Sequence, residues 1–308
     1  MKLHRERNWL PIPFDVASLD AVVLSHAHRD HSGFLPVLVK RGYRGPVYAS
    51  TATRDPADVL LRDSAHLPEE DARRTNKFGL SKHGKALPLY TGADAVHAVQ
   101  RIARLAAGRG VKVGGVEVSL TPVGHLLGAN AVTLATGGER VVFSGDLGRQ
   151  QDLLLPPPEC IARADVLLIE ATYGNRLHPK EDVQALLGEI VRRTVKRGGS
   201  VLLPSFAVGR AQALLLVLQR LKRAGNVPPS PPQIAACTEA RNRFADRRRA
   251  FHRKRGAIDA PGALALPGRR HLFVVHGEPE ATDALRFRIG NELGWRASVP
   301  PHAQTLEV

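Results

Sequence analysis

Four potential metal ligands stand within six residues at His26-Ala27-His28-Arg29-Asp30-His31, directly after the apolar run Ala21–Ser25 and before the helix-like stretch Phe34–Lys40. In a loop, His26 and His28 at i and i+2 turn to the same side and can share one ion. Asp30 and His31 project beyond them toward a second. Imidazole nitrogen and carboxylate oxygen suit zinc, and a site without thiolates keeps a coordination position for water. Solvated or core histidines are the competing explanation, but they do not gather three to a strand end beside an aspartate. The cluster therefore constrains the fold: an apolar strand has to deliver these side chains to a place where other chain segments bring the remaining ligands.

Three further segments have the required form. His125 in Val123-Gly124-His125-Leu126-Leu127-Gly128 follows the run Val116–Thr121, Asp146 in Ser144-Gly145-Asp146-Leu147-Gly148 follows Val141–Ser144, and His276 in Val275-His276-Gly277-Glu278-Pro279 follows Leu272–Val275. Each is a polar residue at the end of a short Val/Leu/Ile-rich run, next to glycines that permit close backbone approach. Asp146 has two oxygens and can bridge two ions. Further strand runs are Ala131–Ala135, Val166–Glu170 and Ser200–Leu203. Helical patterns occupy Pro179–Arg197 and Gly209–Arg223, stopped by Gly198-Gly199 and Gly225, and Pro279–Leu293. Strands alternating with helices predict an α/β or layered αββα architecture.

The chain has 308 residues with 44 Lys and Arg against 29 Asp and Glu, a net charge of +15. Such an excess favours a phosphate-bearing partner. However, ten basic and only three acidic residues fall between Thr238 and Arg270, so nearly half of the excess lies in one stretch without 2.0 or 3.6 periodicity. The segment 226–270 opens with Val227-Pro228-Pro229-Ser230-Pro231-Pro232 and reads as a linker or an insert of little regular structure. No apolar run approaches the roughly 20 residues needed to cross a bilayer, so no membrane span is expected. Two cysteines, Cys160 and Cys237, argue against a disulfide framework and predict a reducing, cytoplasmic setting.

The blocks His26-Ala27-His28-Arg29-Asp30-His31, Gly124-His125-Leu126-Leu127-Gly128, Ser144-Gly145-Asp146-Leu147-Gly148, Ile169-Glu170-Ala171-Thr172-Tyr173-Gly174-Asn175-Arg176, Pro204-Ser205-Phe206-Ala207-Val208-Gly209-Arg210-Ala211-Gln212 and Val275-His276-Gly277-Glu278-Pro279 together resemble the ordered motifs of the β-CASP branch of the metallo-β-lactamase superfamily. The similarity is to bacterial and archaeal RNA-processing nucleases related to the nuclease subunit of the cleavage and polyadenylation machinery. It runs from about residue 8 to 225 and again from about 271 to 308.

The resemblance implies an αββα metallo-β-lactamase sandwich and two zinc ions. His26, His28 and His125 would hold one, Asp30, His31 and His276 the other, with Asp146 between them. It further implies a metal-bound hydroxide as nucleophile, with Asp30 and Glu170 in catalytic positions and the Glu170 carboxylate orienting a general-acid histidine. Ser205, Gly209 and Arg210, at a helix start, offer a substrate-phosphate site. Two departures stand out. Only 25 residues precede His26, so the first sheet is expected without its front strands. The 45 residues of 226–270 are too few for a whole β-CASP insert and lack its closing Ser-Ala-His-x-Asp motif, leaving His252 as the one histidine near the position of the general acid. The expected organisation is a main metallo-β-lactamase core at 1–225, a truncated remnant at 226–270, and a return to the core at 271–308. The expected activity is hydrolysis of single-stranded RNA, endonucleolytic or from the 5′ end, with a homodimer as the expected assembly. The alternatives are a catalytically impaired remnant that binds zinc and RNA, and a small-ester or thioester hydrolase.

Overall fold

The computed structural model describes residues 7–81, 84–176, 182–205, 208–227 and 271–301, and the backbone of 234–238. Three short parallel strands, β1 (Val22–Val23), β2 (Val47–Ala49) and β3 (Ile102–Arg104), form a first sheet in that order. Strands β4 (Gly110–Val113), β5 (Val116–Pro122), β6 (Asn130–Thr136), β7 (Glu139–Phe143) and β8 (Val166–Glu170) build the second. After a separate parallel pair, β9 (Val201–Ser205) and β10 (Ile234–Thr238), strand β11 (His271–Val275) joins the second sheet against β8. Its order is β11-β8-β7-β6-β5-β4.

Helices cover the outer faces. The four-residue α1 (Arg29–Ser32), α2 (Leu35–Lys40), the long α3 (Thr51–Lys77) and α4 (Gly92–Gln100) belong to the first-sheet half. Helices α5 (Val183–Lys196) and α6 (Arg210–Arg223) flank β9, and α7 (Pro279–Leu293) closes the described chain. Alternation along the strands sorts the apolar side chains into layers. Val47, Ala49 and Ile102 pack with Leu61, Ala65, Ala98 and Val99 between the first sheet and its helices. Val118, Leu120 and Val132 meet Val23 and Tyr48 between the sheets. Leu167, Ile169, Leu272 and Val274 meet Leu285 and Ile289 of α7 on the far side. Full burial of each of those two α7 side chains contributes about 1.5–3 kcal/mol. The layers thus run helix, sheet, sheet, helix, as in a metallo-β-lactamase sandwich. No described helix is long and apolar enough to cross a membrane.

The sequence readings differ from the structure in several elements. Helix α3 carries no strong periodic signal, because its buried positions are Thr53, Ala57, Leu61, Ala65 and Ala72, mostly small side chains, and Pro56 and Pro68 lie inside it. The described part of helix α5 begins at Val183, where the Asp182 carboxylate accepts the N–H groups of Gln184 and Ala185, and the expected start at Pro179 lies outside the described residues. Within 226–270, a stretch read as lacking regular structure, Ile234–Thr238 pairs in parallel with β9, Ile234 opposite Val201 and Thr238 opposite Ser205. Five residues are too few for alternation to identify a strand against proline-rich flanks. His252 and the rest of 239–270 lie outside the described residues.

Candidate metal centre

The sheet topology explains why distant residues meet. Strands β7, β8 and β11 are mutually parallel, and β5 runs the same way because antiparallel β6 separates it from β7. The C-terminal ends of all four strands therefore lie on one edge, and they deliver His125, Asp146, Glu170 and His276. The first sheet reaches that edge where Asn130 N–H donates to Ser25 O at 2.9 Å, directly before His26. His28 then precedes α1, on which Asp30 and His31 sit.

The seven predicted residues form two adjoining groups. His26, His28, His125 and Asp146 are one, and Asp30, His31 and His276 the other; within each, the donor atoms lie within 4.8 Å of one another. The two carboxylate oxygens of Asp146 serve different groups. Oδ2 lies 3.3 Å from His125 Nε2 and 3.9 Å from His26 Nε2. Oδ1 lies 3.1 Å from His31 Nε2 and 3.4 Å from His276 Nε2. His125 Nε2 is 3.0 Å from His28 Nδ1, and His276 Nε2 is 3.6 Å from Asp30 Oδ2.

These spacings fit zinc. Ligand bonds of ~2.0–2.1 Å in a tetrahedron hold donor atoms about 3.3–3.4 Å apart. Moreover, His26 Nε2, His31 Nε2 and Asp146 Oδ1 are buried, yet none makes a hydrogen bond of acceptable geometry. Buried polar atoms left in this state are costly unless a cation satisfies them. Ser25 Oγ lies 3.1 Å from His26 Nδ1, which occupies the other ring nitrogen and turns Nε2 toward Asp146.

The shifts of His26 and Asp146 agree, and that of His31 runs the other way. Burial, and then the neighbouring His31 and His125, hold His26 well below the ordinary histidine range, so its ring is neutral at pH 7. Burial would raise the Asp146 carboxyl, but His31 and His125 outweigh it and keep the group far below the usual carboxylate range. His31 is lowered by burial and raised more strongly by Asp146, with a net upward shift. Neutral imidazole beside ionised carboxylate is the state in which a cation binds.

Backbone devices fix the ligand loops. The carbonyl of Gly128, which closes the His125 loop, accepts from Ser50 Oγ at 2.8 Å, Thr53 Oγ1 at 2.7 Å and Asn130 Nδ2. Gly128 has φ +84°, and a Cβ there would lie 2.5 Å from the Thr53 nitrogen, so both its conformation and its space require glycine. His276 has φ +52°, the only non-glycine described residue in the left-handed region, and its carbonyl accepts the Ala171 N–H at 3.0 Å. Strain of this kind persists where the surroundings over-determine the conformation.

Glu170 is buried. Its Oε1 accepts the Leu147 N–H at 3.1 Å and its Oε2 the Thr172 N–H at 2.9 Å, while its own N–H donates to Ser144 Oγ at 3.0 Å. Its carboxylate thus clamps the turn that presents Asp146. Ser205 is buried with no hydrogen bond to Oγ among the described residues. Gly209, at φ +87°, caps the start of α6. The Arg210 guanidinium acts on the Tyr173 phenol, whose pKa is raised by burial despite that charge and is also influenced by Glu170 and Asp146. Arg210 thus belongs to the same neighbourhood. The clamp on Gly128 and the backbone role of Glu170 were not legible in the sequence, since neither leaves a local motif.

Comparison with known proteins agrees with this geometry. Residues 3–204 match the β-lactamase superfamily domain, and residues 266–300 match the RNA specificity domain of Zn-dependent metallo-hydrolases. The chain is 38% identical to Ribonuclease TTHA0252 of Thermus thermophilus over 231 residues, 73% of this chain and 49% of that protein. It is 35% identical to the transcription termination factor FttA of a Lokiarchaeum species over 228 residues, covering 72% and 34%. It is 31% identical to the endoribonuclease YSH1 of Kluyveromyces lactis over 214 residues, covering 67% and 26%. The chain therefore spans half or less of the length of these relatives. The layered fold, the strand-end His/Asp groups and these matches agree: the chain belongs to the metallo-β-lactamase superfamily, and the relatives it matches include a ribonuclease and an endoribonuclease.

Proposed function

We propose that the chain is a two-zinc phosphodiesterase acting on single-stranded RNA. The observation that carries this reading is the division of Asp146: one oxygen faces His26 and His125, the other His31 and His276. In this reading His26, His28 and His125 hold one zinc, Asp30, His31 and His276 the other, and Asp146 both. Zinc bound there supplies Lewis acidity toward a phosphoryl oxygen and a water of near-neutral pKa.

The chain's own residues do the rest. Ser25 orients the His26 ring. Glu170 holds the Asp146 turn through Leu147 N–H. Asp30, with 61% of its side chain exposed, lies at the open side, where substrate enters. Ser205, Gly209 and Arg210 bind a substrate phosphate, supported by the unsatisfied Ser205 hydroxyl and by the Arg210 charge near Tyr173. His252 is assigned the protonation of the leaving oxygen. The test is hydrolysis of single-stranded RNA by the zinc-loaded chain against Asp146→Ala; equal rates for the two would contradict the proposal.

A second reading rests on a specific observation. Both Glu170 oxygens are engaged by backbone N–H groups, and no described histidine is bound to them. A chain that binds zinc and RNA without turnover fits that arrangement too. Stoichiometric zinc and RNA binding with no cleavage would select it.

A further inference from the structure

The unit formed by α5, β9 and α6 carries a concentration of charge that the candidate metal centre does not use. Helix α5 ends in Arg192, Arg193 and Lys196, followed by Arg197, and α6 ends in Arg220, Lys222 and Arg223. All seven side chains are exposed. Across 189–200 and 216–227 the single acidic residue is Glu189.

Topology puts the two helix ends together. Helix α5 leads into β9 and α6 leads toward β10, and the two strands are parallel, so both helices finish at the edge where those strands begin. They are in direct contact there. A Cβ on Gly188 of α5 would lie 3.0 Å from the Leu221 side chain of α6, and Arg192 donates to Asn226 O at 3.4 Å. Leu187, Val191, Val217 and Leu221 fill the seam below.

Helix capping does not account for the excess. Each helix C-terminus presents roughly half a negative charge, about one in total. Seven cations less Glu189 leave several exposed positive charges at the two helix ends, with no carboxylate paired to them among the described residues. The patch lies at the far end of α6 from Arg210. At 1.5 Å per residue the 14 residues of this helix span ~21 Å, roughly six phosphates at the 3.4 Å spacing of a stacked strand.

We infer that the paired C-terminal ends of α5 and α6 form a distal anchor for the RNA backbone, engaging phosphates several nucleotides away from the bond at the metal centre. This inference rests on the RNA reading above. The anchor contacts phosphate and not bases, so it adds affinity for long strands without sequence preference.

The test compares the full zinc-loaded chain with the variant Arg193→Gln, Lys196→Gln, Arg220→Gln, Lys222→Gln. Glutamine keeps helix propensity close to that of lysine and arginine, and Arg192 is retained because it tethers α6. Three quantities are measured between 50 and 300 mM salt: binding of a labelled 20-nucleotide single-stranded RNA, binding of a diribonucleotide, and hydrolysis of bis(p-nitrophenyl) phosphate. The 20-mer is expected to bind the variant at least tenfold more weakly at the lowest salt. The slope of log affinity against log salt should fall by up to about three, at ~0.7 per lost phosphate contact. Dinucleotide binding and small-diester hydrolysis should stay within twofold. An unchanged 20-mer affinity and slope, an equal loss on the dinucleotide, or a parent chain that does not bind the 20-mer would each overturn the anchor. Absence of diester hydrolysis by the parent chain would instead remove the phosphodiesterase reading, and the binding comparison would still decide the anchor.

Discussion

The two halves of the metal centre are built from different kinds of environment. The side chains of His26, His125 and Asp146 are 0%, 2% and 6% exposed, and their loops are fixed by the Asn130–Ser25 bond and the triple clamp on Gly128. In the other half His31 is 8% exposed, but Asp30 is 61% and His276 31% exposed. His276 also arrives from the far side of 226–270 in a strained backbone conformation. The difference teaches that one half is a preorganised, desolvated cage, whereas the other is an open face whose completion depends on β11 docking against β8. On the proposed reading, a tightly held ion is expected in the first half, and exchange and substrate contact in the second.

The residue shared by both halves gives the largest expected effect. Asp146→Ala should release at least one metal equivalent and lower RNA hydrolysis by more than about 100-fold, beyond the 10–100-fold typical of partners one layer outside the ligands. Metal analysis with single-turnover cleavage measures both. Next, His26→Ala and His276→Ala should behave differently. The first should lose the tight metal and unfold at lower temperature, whereas the second should keep one equivalent and most of its stability while losing cleavage. Equal metal loss in the two variants would break the comparison between the halves.

Glu170→Gln tests the turn that carries Asp146. One amide N–H2 would face a backbone N–H, at Leu147 or at Thr172, so cleavage should fall about 10–100-fold with a matching loss of metal affinity. A variant with unchanged metal affinity but lost cleavage would place Glu170 in the chemistry instead. The smallest effect is expected at the Gly128 clamp. Thr53→Val removes one of three donors, costs about 1 kcal/mol, and should lower Tm by about 2–4 °C with a few-fold weaker metal binding. Thr53→Ser should restore both, which calorimetry and a chelator competition can follow.

Much of the site was legible in the sequence because ligands at strand ends interrupt apolar runs: His125, Asp146 and His276 each follow one directly. Their convergence could not be read locally, since it depends on β5, β7, β8 and β11 running in one direction. Strands β2, β3 and β4, of three or four residues, are too short to show alternation. Helix α3 was obscured by its small buried residues, and with it the Ser50 and Thr53 hydroxyls, whose partner Gly128 lies more than 70 positions away. The net charge of +15 also meant less as a total than as a distribution. The stretch 238–270 holds nearly half of it, but the described surface shows a second concentration at the ends of α5 and α6.

The most direct test of the account is metal stoichiometry with anomalous diffraction at the zinc edge on crystals of the zinc-loaded chain. The account predicts two zinc peaks joined by the Asp146 carboxylate, the first among His26, His28 and His125 and the second among Asp30, His31 and His276. A single peak, or two peaks without Asp146 between them, would contradict it.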